Sequence, residues 1–227
     1  MGKPELLEWL AFHLGPLSIG PTVLTTWLLM VLLAGLGWFG TRKLSVGAPS
    51  RLQTALEGAV LALESAIEAV APGHAGRLLP FIGSLWVFIA AANLIGLVPG
   101  LASPTGNLST TVALALLVFA AVHWFGIRID GFKTYFKHYL DPNPILLPFH
   151  LLGEITRTLA LAIRLFGNMM SLEMAALLVL LVAGFLAPVP LLMLHIVEAL
   201  VQAYIFGMLA LVYVAGALQS HELQHKD

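Results

Sequence analysis

The sequence contains no cysteine among its 227 residues, and it carries few charged side chains. The absence of cysteine excludes a disulfide framework, a thiolate metal site and a cysteine nucleophile. Only 10% of the residues are charged and 59% are hydrophobic, whereas soluble domains carry about 25% charged residues. The composition therefore predicts an integral membrane protein, and the net charge of −1 gives no reason to expect a nucleic acid as a partner.

The sequence also lacks the features of a cleaved signal peptide and of an internal repeat. Lys3 is followed by Glu5 and Glu8, and the first apolar stretch begins only near Thr22, with no small-residue cleavage site after it. We therefore expect one membrane domain over residues 1–227, held in a bacterial plasma (inner) membrane.

Five long apolar runs predict an all-α protein that crosses the membrane five times. The runs cover residues 22–39, 78–98, 108–127, 146–186 and 191–218. A short uncharged link joins the second run to the third, so these two form a hairpin. The last two runs exceed what a core of about 30 Å requires at about 1.5 Å per residue, so we expect strong tilting and a long antiparallel hairpin.

A different pattern occupies residues 50–70, after Pro49. Glu57, Glu64 and Glu68 follow at helical spacing on one stripe, which predicts an amphipathic helix on the membrane surface. The alternative is the solvated face of a small extramembrane bundle. Residues 130–140 are polar and aromatic, which is typical of an interfacial stretch, and residues 141–144 form a predicted turn.

The distribution of lysine and arginine predicts the orientation in the membrane. Basic residues concentrate in the first link, the third link and the C-terminal tail: Arg42, Lys43, Arg51, Arg77, Arg128, Lys133, Lys137 and Lys226. The link at 101–107 and the turn near 185–190 have none. We therefore expect the N-terminus outside and the C-terminus in the cytoplasm.

Arg164 lies in the middle of an apolar run, where its guanidinium remains charged. A charged residue at the centre of a bilayer helix costs about 2.5–3.5 kcal/mol on insertion scales. Arg164 is therefore the strongest candidate for a functional residue. Arg157, seven residues earlier, has the alternative of reaching the cytoplasmic interface, and Glu154 is expected to pair locally with Arg157.

Further polar residues share one face of each of the last two runs. They are Asn168 in the fourth run, which also holds the two arginines, and His195, Glu198 and Gln202 in the fifth run. In an antiparallel hairpin about residues 184–189, three polar pairs lie at matched depth: Arg164 with Gln202, Glu173 with His195, and Glu154 with Tyr213. This matching favours a polar seam, although His195, Asn168 and Gln202 would also suit ordinary hydrogen-bonded helix packing.

Glu173, His195 and Glu198 cluster near the outer end of this hairpin. Carboxylates and an imidazole in a membrane cavity are the usual components of a proton path. Glu173 does not share the face of Arg164, so the two are not expected to neutralise each other. The pattern thus predicts titratable groups on one side of a fixed positive charge.

Several motifs resemble the subunit a family of F-type ATP synthases. The first is Arg164-Leu-Phe-Gly-Asn-Met169, and the second is Asn93-Leu-Ile-Gly96-Leu-Val-Pro99. Pro104-Thr105 before an apolar helix, and Glu198 through Gln202 and Tyr204 to Tyr213, follow in the order that this family shows. The resemblance covers most of the chain from about residue 49.

The resemblance implies a stator subunit with two offset ion half-channels beside a ring of c subunits. It implies that Arg164 faces the ion-binding carboxylate of subunit c, that Gln202 lies opposite this arginine, and that Glu173 and His195 line the outer half-channel with Asn168. Subunit b of the peripheral stalk and the soluble F1 ATPase head are the other implied partners. Neither a metal nor a cofactor is expected, and the chain has no catalytic site of its own.

Two departures from the family pattern affect the outer half-channel. Leu172 stands where the family usually has a glycine, and Asn107 stands where many members have an aspartate. Whether H⁺ or Na⁺ is carried stays open.

Two other classes of function stay open as well. A haem-binding electron-transfer subunit would use His123, His150 and His195 as axial ligands. A stand-alone ion-coupled secondary transporter would normally contain inverted repeats, which the sequence lacks.

Overall fold

Six α-helices follow one another in the part of the chain that the computed structural model describes, residues 12–14, 17–42, 50–98, 103–130, 147–183 and 189–222. They are α1 (Pro21–Thr41), α2 (Arg51–Val70), α3 (Ala75–Ile95), α4 (Leu108–Asp130), α5 (Leu147–Ala183) and α6 (Val189–Glu222). A 3₁₀ turn, Pro104–Gly106, precedes α4. The predicted interfacial stretch after residue 130 and the turn at 184–188 lie outside the described residues.

The helical fold class is confirmed. All the helices except α2 are long and apolar enough to cross a membrane, so the described residues contain five candidate spans. The sequence did not predict the short antiparallel ribbon before α1, which is formed by β1 (Phe12–Leu14) and β2 (Leu17–Ile19).

Local chemistry explains how α2 begins and ends. Ser50 adopts an extended conformation, and its side chain accepts a hydrogen bond from the Gln53 amide at 3.2 Å, which satisfies one free N–H of the first turn. At the other end, Gly73 has φ of +76°, a left-handed conformation that glycine adopts without steric cost. Its amide donates to the Glu68 carboxylate at 2.7 Å, so the chain turns sharply into α3.

The core lies where α3, α4 and α6 meet. Ile82, Ile89, Val118, Phe206 and Leu211 are almost completely buried there. The amphipathic helix α2 packs along α3 and buries Ile67. By contrast, α1 and α5 leave most of their apolar surface uncovered in the single chain. In a membrane this surface meets lipid or other subunits.

Trp86 of α3 fits against α6 because residue 207 is glycine. The indole N–H donates to the carbonyl oxygen of Tyr204 at 3.2 Å, and the ring stacks on the Tyr204 ring with centroids 6.0 Å apart. A Cβ atom on Gly207 would overlap the indole. Gly207 therefore permits the close approach of α3 and α6 that the core requires.

The last two helices are unusually long. α5 has 37 residues and α6 has 34, which corresponds to more than about 50 Å each at about 1.5 Å per residue. This length is greater than the hydrocarbon thickness of about 30 Å. Strong tilting of this hairpin in the membrane thus stays a prediction.

We expect Gly207→Ala to destabilise the protein by about 1–3 kcal/mol, because overpacking forces the indole and α6 apart. Thermal denaturation of the detergent-solubilised protein measures the effect. Gly35→Ala is the matched control, since a Cβ there meets open space. Equal melting temperatures for the two variants would contradict this account of the α3–α6 contact.

Candidate functional site

Arg164 lies near the middle of α5, and its side chain is exposed. The flanking residues Leu161 and Leu165 are buried, so this stretch of α5 packs against the bundle while the guanidinium points away from it. Arg164 makes no hydrogen bond or ion pair with any residue that the structure describes. In the middle of a membrane span, such a charge requires a polar or anionic group from outside the chain.

One turn further along α5, Asn168 connects the two long helices. Its amide nitrogen Nδ2 donates to Oε1 of Gln202 in α6 at 2.7 Å. Gln202 is 1% exposed, so the bond is shielded from the surroundings. The sequence had placed Gln202 level with Arg164, but the amide group that contacts it is that of Asn168.

A contact of Arg157 indicates the same register between α5 and α6 as the Asn168–Gln202 hydrogen bond. Its guanidinium lies over the ring of Tyr213, 5.7 Å from the centroid. The two contacts are compatible with one antiparallel register, in which Arg164 is level with Phe206 rather than with Gln202. The expected depth matching was therefore wrong by four residues at this point, since Gln202 bonds to Asn168 and Arg157 lies over Tyr213.

Two polar nitrogen atoms on α6 are buried without a partner among the described residues. They are Nε2 of His195 and Nε2 of Gln202, seven residues apart on one face of the helix. A buried polar atom without a hydrogen bond costs about 1–3 kcal/mol. Enclosed water molecules would satisfy both atoms, and a polar path along this face of α6 would supply them.

Glu173 of α5 faces the 3₁₀ turn. A Cβ atom on Gly106 would lie 3.6 Å from its Oε1 atom, an ordinary van der Waals contact, so the carboxylate lies directly beside this turn. In the observed register Glu173 is level with Val197, between His195 and Glu198. The three groups therefore lie at similar depth, as expected, and Glu198 is half-buried.

A buried hydrogen-bond network holds the 3₁₀ turn in place. Thr105 Oγ1 donates to Oδ1 of Asn93 at 2.6 Å, and Asn93 Nδ2 donates to the carbonyl oxygen of Ala199 in α6 at 3.1 Å. Ser103 Oγ lies 2.7 Å from Thr105 Oγ1 and donates to the carbonyl oxygen of Ala92. From the sequence, Asn93 and Thr105 were predicted only as residues of a family motif. The signal for the network was that both are polar and lie beside a short uncharged link.

Glu154 contacts a residue that the sequence did not associate with it. Its Oε2 atom lies 3.4 Å from Nε2 of His123 in α4. The expected local pair between Glu154 and Arg157 stays a prediction, and the Arg157 guanidinium lies over the ring of Tyr213. Nδ1 of His123 also contacts the Phe119 carbonyl oxygen. Both ring nitrogens thus face protein groups, which disfavours His123 as a haem ligand.

The positions of the titratable groups relative to Arg164 suit the transfer of an ion through the membrane. Glu173, His195 and Glu198 lie on one side of Arg164 along α5 and α6, and Glu154 lies on the other side. A fixed positive charge therefore separates two sets of titratable groups, and it repels a cation that would pass directly between them.

We expect Thr105→Val to destabilise the protein by about 1–3 kcal/mol, because it leaves the buried Oδ1 atom of Asn93 without its donor. Thermal denaturation in detergent again measures the change. Thr41→Val is the matched control, since the Thr41 hydroxyl is exposed and bonds only within its own helix. A Thr105→Val protein as stable as the control protein would show that the network does not hold the turn.

Known proteins with similar sequences identify the family. The family model described as ATP synthase A chain matches residues 23–215. A relative named ATP synthase subunit a 2, from Pelobacter propionicus, is 64% identical over 93% of this chain and 92% of its own length. A relative from Hahella chejuensis, named ATP synthase subunit a 1, is 65% identical over 93% of this chain and 88% of its own length. ATP synthase subunit a of Legionella pneumophila is 53% identical over 99% of this chain and 97% of its own length. The chain belongs to the ATP synthase A chain family.

Proposed function

We propose that this chain is the stator subunit a of a rotary F-type ATP synthase, and that Arg164 couples ion flow to rotation of a c-ring. The observation that carries the proposal is an exposed guanidinium in the middle of a span, without an ionic partner among the described residues. A carboxylate on a neighbouring subunit would supply the missing charge. Neither a secondary transporter nor a haem protein is favoured, given the relatives named ATP synthase subunit a.

Arg164 acts on the rotor through its fixed charge. It attracts an ionised rotor carboxylate, and that carboxylate can leave the stator for lipid only after it binds an ion and becomes neutral. The same charge repels a free cation, so ions cannot leak directly from one passage to the other. Rotation is then the route by which an ion crosses.

The outer passage is formed by Glu173, His195 and Glu198, with Asn168 and Gln202 at its inner end. The partnerless nitrogens of His195 and Gln202 support this assignment, because a polar passage along this face of α6 would satisfy both atoms. The half-buried Glu173 carboxylate beside Gly106 supports an entrance near the 3₁₀ turn. An ion in this passage would neutralise the carboxylate that then moves away from Arg164.

The assembly follows from the same reasoning. We infer a c-ring against the exposed side of α5 and α6, a peripheral stalk with subunit b, and an F1 head that carries the catalytic sites. The distribution of basic residues supports an outside N-terminus and a cytoplasmic C-terminus in a bacterial inner membrane. One ion crossing the potential then supplies about 2.3 kcal/mol per 100 mV.

Arg164→Ala should abolish coupled ATP synthesis in membrane vesicles. Since the loss of one partner from an ion pair shielded from water costs about 3–5 kcal/mol, the rate should fall by at least about two orders of magnitude. Arg164→Lys keeps the charge but loses the planar guanidinium, so we expect severe impairment there too.

Arg51→Ala provides the control, because Arg51 is exposed at the start of α2, outside the α5–α6 seam. It should assemble and synthesise ATP like the unmodified complex. ATP synthesis above a tenth of the normal rate in an assembled Arg164→Ala complex would contradict the proposed function.

A further inference from the structure

His123 and Glu154 form a titratable pair between α4 and α5 that the proposed function has not used. The two side chains are 28% and 21% exposed, so the pair is shielded but not sealed. The Nε2–Oε2 distance is 3.4 Å, and Nδ1 of His123 lies 2.8 Å from the Phe119 carbonyl oxygen. Both contacts bear on where the protons of the pair reside.

The geometry implies a proton between the two side chains. A carbonyl oxygen only accepts hydrogen bonds, so Nδ1 carries the proton that a neutral imidazole possesses. Nε2 would then present a lone pair to a carboxylate oxygen, and two acceptors repel each other. The contact is favourable only if a further proton resides on Nε2 or on Oε2, between the two groups.

The pair lies on the side of Arg164 opposite to the outer passage. Along α5, Glu154 precedes Arg164 by ten residues, or about 15 Å, and Glu173 follows it by nine. His123 lies seven residues before the end of α4, and Glu154 lies seven residues after the start of α5. Each separation corresponds to about 10 Å along the helix axis. With the proposed orientation, both positions are on the cytoplasmic side.

Two arginines and one histidine lie near the pair in sequence. On α5, Arg157 and His150 are the nearest charged or titratable residues in sequence, and Arg157 is directed to Tyr213 of α6. On α4, Arg128 lies over the Trp124 ring.

We propose that His123 and Glu154 form the proton-release station of the inner passage. This rests on the proposed function and assigns residues to the half of the path for which the sequence suggested none. A proton that leaves the rotor carboxyl travels over water and bonds to Glu154 Oε2 or His123 Nε2. The proton already held by the pair passes to cytoplasmic water, so the charge of the pair is restored.

The decisive experiment separates proton transfer from helix packing. In His123→Gln/Glu154→Gln, an amide–amide hydrogen bond can still join α4 and α5, but no group can exchange a proton. ATP-driven proton pumping is measured in inverted vesicles, whose medium corresponds to the cytoplasmic side, as a function of medium pH. In this direction the release step runs in reverse: the pair takes a proton from the medium and passes one to the rotor carboxylate. We expect pumping to fall by about a hundredfold or more, as for loss of an acid–base group, with F1 still bound to the membranes.

Two single variants complete the test. Glu154→Asp keeps a titratable carboxylate, so it should retain pumping with a displaced pH profile, and Glu154→Gln should lose pumping. Glu57→Gln on α2 makes the same chemical change at an exposed position and should pump normally.

Three results would overturn the assignment. The first is an assembled double variant that pumps at the normal rate with an unchanged pH profile, which would show that the pair only holds the helices. The second is normal pumping by Glu154→Gln, which decides the matter if the double variant does not assemble. The third is a complex that pumps Na⁺ without moving protons. The Arg164 variants test the stator role separately, so a failure here would leave that role intact.

Discussion

The arginine charge in the middle of α5 is the constraint on which the remainder of the structure depends. Arg164 is exposed on the isolated chain, next to leucines that pack into the bundle. The bilayer offers no anion at that depth, so the charge is stable only against another subunit or enclosed water. A rotor carboxylate meets this requirement in one position and loses it when the rotor turns. The coupling of ion flow to rotation follows from that alternation.

The roles proposed for the other polar groups depend on where they lie relative to this charge. The Asn168–Gln202 amide bond and the Arg157–Tyr213 contact fix α5 against α6 on either side of Arg164. Buried nitrogens without partners and the carboxylate of Glu173 lie on one side, and the His123–Glu154 pair lies on the other. The apolar contact of Trp86 with Gly207 and the network around Thr105 hold the supporting helices in position.

Periodicity and hydropathy predicted which segments are helical and which side chains share a face, because both properties depend on local sequence. Thus α2, the five apolar helices and the polar faces of α5 and α6 were accessible from sequence. The register of α5 against α6 was not, since it depends on which side chains interlock, and Gln202 contacts Asn168 rather than Arg164. The His123–Glu154 contact was missed for the same reason: it joins helices that are distant in sequence. The short ribbon before α1 was not predicted from the sequence.

The central claim is that the Arg164 guanidinium interacts with a carboxylate supplied by another subunit. The most direct measurement is a high-resolution structure of the complete complex in a lipid bilayer, with the distance from this guanidinium to the nearest carboxylate oxygen. The account predicts a carboxylate of the rotor within about 4 Å, or one water molecule further away. A guanidinium surrounded by lipid headgroups, or bonded only to groups of its own chain, would contradict it.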